Sequence, residues 1–216
     1  SRIAFAGGGG IFVMRADGSQ IQQLATAIMG VLKWSPDGSE IAFSDYWEWR
    51  VADLYVVNAD GTGKRLLHAG SAFGGLTWSP DGSRIAYDAW IDSGGGRQIW
   101  IVDSDGSNHV ALTSAAAHDS FGPAWSPDGS RIAFAQSRGG ADFSSDIGIF
   151  VVDVNGAGLT QLTHGASLGY DPIWSPDGSQ IALYVGYPQA LEIAVVNADG
   201  TGFRTLGPGF GPTWQP

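Results

Sequence analysis

A serine, an aspartate and a tryptophan stand together in the stretch Trp34-Ser35-Pro36-Asp37-Gly38-Ser39, and this hexapeptide returns letter for letter at Trp78 to Ser83, Trp125 to Ser130 and Trp174 to Ser179. A hydroxyl two residues from a carboxylate offers the parts of a nucleophile and its base, and an indole beside them could stack on a substrate. Such chemistry is needed once per active site, whereas a chain corner is needed in every structural unit. Pro, Asp and Gly at the second, third and fourth positions of Ser-Pro-Asp-Gly fit a type I turn followed by a left-handed glycine. The hexapeptide therefore reads as architecture, its Trp wedged between neighbouring sheets.

The other candidate chemistries thin out in the same way. Asp103-Ser104-Asp105-Gly106 resembles the start of a calcium loop, but the further ligands and the glutamate twelve positions into such a loop are missing. His68, His118 and His164 stand on connecting segments without the spacing of a zinc pair, and His109 falls on an outer strand. There is no cysteine, which removes disulfides, thiolate metal sites and thiol nucleophiles. Gly7 to Gly10 does not open a helix, so it is a loop and not a nucleotide cradle. Neither a metal nor a cofactor is expected.

The repeat organises the chain. Trp34 and Trp78 are 44 residues apart, Trp78 and Trp125 are 47 apart, and Trp125 and Trp174 are 49 apart; a fifth Trp follows 40 residues later at 214, in Gly-Pro-Thr-Trp. A period of this size makes each unit one supersecondary element. Turns at Asp17-Gly18, Asp60-Gly61, Asp105-Gly106, Asn155-Gly156 and Asp199-Gly200 each follow an apolar run, the strongest short-range hairpin signal, and they count five units independently. Each unit reads as four antiparallel strands, for example Gly122 to Trp125, Arg131 to Gln136, Ile147 to Val152 and Leu159 to Thr163. Ser1 to Phe5 (SRIAF) matches the segments that directly follow WSPDG, at Ser83 to Tyr87 and Ser130 to Phe134, so the start of the chain supplies the strand that Trp214 should precede.

The predicted fold is all-β: a five-bladed β-propeller of four-stranded antiparallel blades in a single domain, closed by N-terminal strands plus the C-terminal strand. Blade 1 takes residues 1–25 with 211–216, and blades 2 to 5 take 30–68, 75–113, 122–163 and 171–206. Composition agrees, with 33 glycines, nine tryptophans and no window of a dozen residues holding a helical apolar stripe free of Gly and Pro.

The pattern PxWSPDGSxIAF…IxVVDxDGxxxxxLT, which covers essentially the whole chain and contains the four verbatim hexapeptides, resembles the WD40-like PD40 repeat of bacterial propellers, the repeat of the TolB propeller domain. TolB-type propellers usually have six blades, against five units counted here. The resemblance implies a module that binds proteins in an extracytoplasmic bacterial setting, the periplasm or cell surface, and PD40 repeats also serve as sensor domains of larger proteins.

Net charge argues in the same direction by exclusion. At −10, with Lys33 and Lys64 the only lysines, the chain is a poor partner for nucleic acid or anionic membranes, both of which bind through Lys and Arg. Nothing in the sequence has the length and apolarity of a membrane span. The expected behaviour is that of a monomer with no nucleic-acid contact and no membrane insertion.

Function is then sought where the units differ. The turns between first and second and between third and fourth strands are uniform, so the opposite face, with its variable loops, is the expected site. Those loops hold Trp47, Glu48, Trp49 and Arg50 in one unit, Trp90 and Asp92 in the next, His118, Asp119 and Phe143 around the fourth, and Tyr170, Asp171 and Tyr187 in the fifth. Exposed aromatics beside carboxylates are a binding-surface signal. The expected function is non-catalytic recognition of a protein or peptide; a glycan-binding propeller is the alternative, and a five-bladed glycoside hydrolase, which would use paired carboxylates, comes third.

Overall fold

The computed structural model describes residues 1–28, 30–48, 51–70, 72–91, 96–114, 118–137, 147–164, 169–187 and 190–215, with only the backbone of Trp47, Glu48, Val51, Ala72, Phe73 and Tyr187. Among these residues there are nineteen strands and no helix. The first sheet has three strands, β1 (Arg2–Gly7), β2 (Gly10–Arg15) and β3 (Gln22–Thr26). Four four-stranded sheets follow: β4 (Leu32–Trp34), β5 (Glu40–Glu48), β6 (Val51–Asn58) and β7 (Arg65–His68); β8 (Ala72–Trp78), β9 (Arg84–Trp90), β10 (Arg97–Asp103) and β11 (Val110–Ala111); β12 (Ser120–Trp125), β13 (Arg131–Ser137), β14 (Ile147–Asp153) and β15 (Thr160–Gln161); β16 (Gly169–Trp174), β17 (Gln180–Tyr187), β18 (Ala190–Asn197) and β19 (Arg204–Pro208).

All pairings are antiparallel between strands consecutive in sequence. Successive sheets meet through their first strands, β4 on β8, β8 on β12 and β12 on β16. The sheets therefore fan out from an inner edge of first strands, with β7, β11, β15 and β19 outermost. Four hydrophobic cores lie one at each junction between consecutive sheets, built from the inward residues of the Ile-Ala-Phe and Ile-x-Val-Val runs.

The repeated hexapeptide is used as the sequence predicts. Gly129, with φ +71°, donates its N–H to Ser126 O (2.9 Å). Asp128 accepts from Ser126 Oγ (2.6 Å), Ser130 N (3.0 Å) and Ser130 Oγ (2.8 Å), and these donors, Ser126 first, hold its carboxyl at about 2. Ser126 Oγ in turn accepts Arg131 N–H at 3.0 Å. The same bonds recur at Asp37, Asp81 and Asp177. Hydroxyl and carboxylate thus bond each other and the backbone of their own corner, as an architectural turn requires. The Asp-Gly turns also bond internally: Asp105 accepts from Ser107 N and Oγ at 2.8 and 2.6 Å, as a turn carboxylate does.

The tryptophans tie sheet to sheet. The indole N–H of Trp78 donates to Lys33 O (3.1 Å), that of Trp174 to Ala124 O (3.1 Å) and that of Trp214 to Ile173 O (2.9 Å), each reaching the first strand of the preceding sheet. From that preceding sheet a guanidinium covers the indole, Arg84 over Trp125 at 5.0 Å and Arg131 over Trp174 at 4.9 Å.

Two expectations need correction. Residues 211–215 form no strand, so the first sheet has three strands and its expected fourth is not hydrogen-bonded to β1. Trp214 is already bonded to the fifth sheet, and among the described residues no core joins the fifth sheet to the first. Second, the segment holding Trp47 and Glu48, expected to be a loop, is strand as far as Glu48, with an irregularity between Tyr46 and Glu48, and Trp90, Tyr170 and Asp171 also lie on strands. Cross-strand pairing continues these hairpins past the point where the repeat stops, because aromatic and β-branched residues there suit a pleated surface.

Candidate functional site at the inner edge

The site is built where strands of the third, fourth and fifth sheets begin and end on the variable face. Trp90 closes β9 and Arg97 opens β10, directly opposite each other in register. The Arg97 guanidinium sits 4.3 Å from the Phe121 ring centroid and 5.6 Å from that of Trp90, so it lies between two aromatic faces from adjacent sheets. Its backbone N–H donates to Asp119 Oδ1 at 2.7 Å. Gly96 makes this approach possible, since a Cβ there would collide with the same carboxylate oxygen. Asp119 is buried and fixed further by Ser137, whose N–H donates to Asp119 O at 2.9 Å. Beside it, Nδ1 of His118 is buried with no hydrogen-bond partner among the described residues.

The row continues into the fifth sheet. Phe121 meets Tyr170 at 6.3 Å in a tilted arrangement, and Tyr170 stacks on Tyr184 at 5.3 Å. Tyr184 donates its hydroxyl to Asp171 Oδ2 at 3.1 Å. Burial raises the Tyr184 hydroxyl to about 12, and the Asp171 charge adds to the effect, so it remains a donor. Asp171 is exposed and has φ +45°; the residue three before the Trp is Gly122 in the fourth sheet and Gly211 ahead of Trp214, with φ +63° and +61°. An aspartate thus holds a backbone shape that elsewhere in the repeat falls to glycine, and it delivers a carboxylate to the inner edge.

Behind this row lies a buried charge. Asp88 is 2% exposed, and its two oxygens accept N–H groups from Gly75 (3.2 Å) in its own sheet and Gly122 (3.0 Å) in the next. Burial pushes its carboxyl up to about 6; the two N–H donors and the Arg97 charge oppose that rise, and Asp171 adds to it. Burial pulls Arg97 down, against Asp88, Asp119 and Tyr46. Tyr46 reaches this group from the second sheet, its hydroxyl raised first by burial and then by Asp88.

Of the residues expected from sequence, Trp90, His118, Asp119, Tyr170 and Asp171 are brought to one edge. Trp47, Glu48 and Tyr187 are on strands of which only the backbone is described; Trp49, Arg50, Asp92 and Phe143 lie outside the described residues. Sequence reasoning missed Asp88, Arg97, Phe121 and Tyr184 as site residues. Asp88 carried a readable signal, a carboxylate within the apolar run of RIAYD where other units have Ala6, Ser44, Ala135 or Tyr184. Arg97 carried none, since only the fold carries its guanidinium to Phe121.

Sheets fanned around a line of first strands, with an indole wedged at the junctions, define a β-propeller, and its relatives specify the kind. The fold is similar to that of the putative TolB of Agrobacterium tumefaciens, 24% identical over 99% of this chain and 81% of that one, with a TM-score of 0.72. TolB of Acinetobacter baumannii is 21% identical over 92% of this chain and 49% of that one, with a TM-score of 0.66. The same fold occurs in the oligogalacturonate lyase of Vibrio parahaemolyticus, 15% identical over 95% of this chain and 62% of that one, with a TM-score of 0.73. The chain therefore has a TolB-like β-propeller fold. No family model and no curated protein matches it.

Proposed function

We propose that this chain is a non-catalytic recognition module, a single-domain propeller of five blades that binds a protein or peptide partner through the edge lined by Phe121, Tyr170, Tyr184 and Asp171. The observation that carries this reading is the exposed Asp171 carboxylate, held at positive φ beside a stacked tyrosine pair. A carboxylate next to aromatic rings receives a lysine or arginine side chain by charge and by cation–π contact together. The net charge of −10 steers such a cationic partner.

The enzyme reading is less well supported. Asp88 has the raised value a general acid needs, yet it is 2% exposed and both its oxygens are taken by backbone N–H groups. The resemblance to the lyase is one of fold alone and does not transfer its chemistry. Stacked tyrosines beside a carboxylate also suit a sugar ring, which keeps a glycan as the second reading. An extracytoplasmic bacterial location and a monomeric state complete the proposal, resting on the repeat's resemblance to TolB propellers. Selection of random peptides on the immobilised chain tests it: enriched peptides are expected to carry Lys or Arg and to lose binding on Asp171→Asn, whereas enrichment of glycans on an array with no peptide enrichment would favour the second reading.

A further inference from the structure

In each four-stranded sheet the residue that opens the second strand stands opposite the last residue of the third, just ahead of the Asp-Gly or Asn-Gly turn. These pairs are Glu40 with Asn58, Arg84 with Asp103, Arg131 with Asp153 and Gln180 with Asn197. At the matching place in the first sheet Arg2 stands opposite Arg15. Where the other sheets have an arginine it faces an aspartate, but here a cation faces a cation. Directly opposed like charges destabilise an antiparallel pair.

The turn that follows departs from the others in the same sense. In the third unit Asp103 Oδ2 accepts Asn108 Nδ2–H at 2.6 Å, and Asn108 has φ +52°. Gln20 takes the place of Asn108, at φ +54°, where the second, fourth and fifth units have Gly63, Gly158 and Gly202. Arg15 takes the place of Asp103. An amide is thus kept on a backbone shape that costs a side chain energy, and it meets a second donor in place of its acceptor. Arg15 and Gln20 are exposed, and neither side chain has a hydrogen bond or ion pair among the described residues. Asp17 does not make up the difference: its Oδ1 accepts Ser19 N–H and Oγ–H at 2.9 and 2.6 Å, as Asp105 accepts from Ser107 in the third unit, where Asp103 is present as well. The Arg2 guanidinium is fixed against the second sheet, Nη1 donating to Ala59 O at 3.0 Å and Nη2 to Gly38 O at 3.3 Å. Arg2, Arg15, Asp17, Gln20 and Gln22 line one cavity of about 650 Å³, the size of a small-molecule site.

We propose that this cavity binds an organic carboxylate, held by Arg15 and the Gln20 amide in the place that the Asp103 carboxylate takes in the third unit, with Arg2 supplying a second positive charge. A planar carboxylate suits the guanidinium fork, whereas a dianionic phosphate brings a further charge beside Asp17. The net charge of −10 repels anions in general, so affinity here depends on the opposed arginines. The site lies at the one Asp-Gly turn entered by an arginine, apart from the inner edge, and does not rest on the recognition reading above.

Calorimetric titration of the chain with succinate at low salt is expected to show binding at one site. Arg15→Asp gives the first unit the pattern of the third, and Gln20→Gly gives it that of the second, fourth and fifth. Each variant is expected to melt no lower than the parent and to bind succinate about tenfold or more weakly. Inorganic phosphate is expected to bind more weakly than succinate. A short neutral peptide, titrated with a free and with an amidated C-terminus, distinguishes the sources of the carboxylate. Binding by succinate marks a free acid, binding by the free-terminus peptide without succinate marks a chain end, and both support the site. Binding by neither, undiminished binding by a folded Arg15→Asp, or phosphate bound as tightly as the carboxylate would overturn the proposal.

Discussion

Neutralising Asp88 should change how stability depends on pH. Its carboxyl is raised from 3.8 to about 6 in the folded chain, a shift of about 2 units and so about 3 kcal/mol at 1.36 kcal/mol per unit. A value raised on folding means that the folded state holds the proton more tightly. The contribution is fully present below pH 3.8, declines as pH rises through about 6, and is gone above it. For a chain of this length about 3 kcal/mol corresponds to roughly 6–12 °C in melting temperature. His109 slopes the opposite way in an overlapping window, because burial lowers its value. The informative quantity is therefore the difference between the parent and Asp88→Asn, followed by calorimetry from pH 4.5 to 7.5. The parent should lose several degrees relative to the variant across that range. The turn aspartates at about 2, such as Asp128, titrate below this window and do not contribute to the difference. A difference that stays constant with pH would refute the account of Asp88 as a buried carboxyl shared between two sheets.

Gly129→Val places a β-branched side chain at φ +71°, and it should destabilise the fold by about 1 kcal/mol or more while the folded fraction binds peptides unchanged; loss of binding at full stability, read by titration and melting together, would return the hexapeptide to the site. Trp174→Phe removes the N–H that Ala124 O accepts, and it should cost about 1–2 kcal/mol in chemical denaturation, against no change if the indole bond is incidental.

The fold was legible because its punctuation is repeated. Ser-Pro-Asp-Gly and Asp-Gly dictate corners through local bonds such as Ser126 Oγ to Asp128, which need no distant partner, so the sequence alone places them. Strand ends were less legible. Glu40 to Glu48 runs on as strand because cross-strand pairing with Val51 to Asn58 decides its length, and a motif that stops at Phe43 says nothing about that partner. In the site, Tyr170 and Asp171 could be read from their place ahead of a repeated Trp. Arg97 and Phe121 could not, since they meet across two sheets and are 24 residues apart in sequence. The expected closure shows the same division: sequence matching identifies the two complementary segments, but hydrogen bonding to β1 is a long-range event that no local signal reports.

The central claim is that recognition belongs to the inner edge on the variable face and not to the repeated turns on the other. Peptides selected on the parent chain should be titrated against Tyr170→Ala, Asp171→Asn and, on the turn face, Asp177→Asn, with folding of each checked by melting. The account predicts that the first two weaken binding by about 1–4 kcal/mol each while Asp177→Asn binds as the parent does. Undiminished binding by both edge variants, or loss of binding by a folded Asp177→Asn, would contradict it.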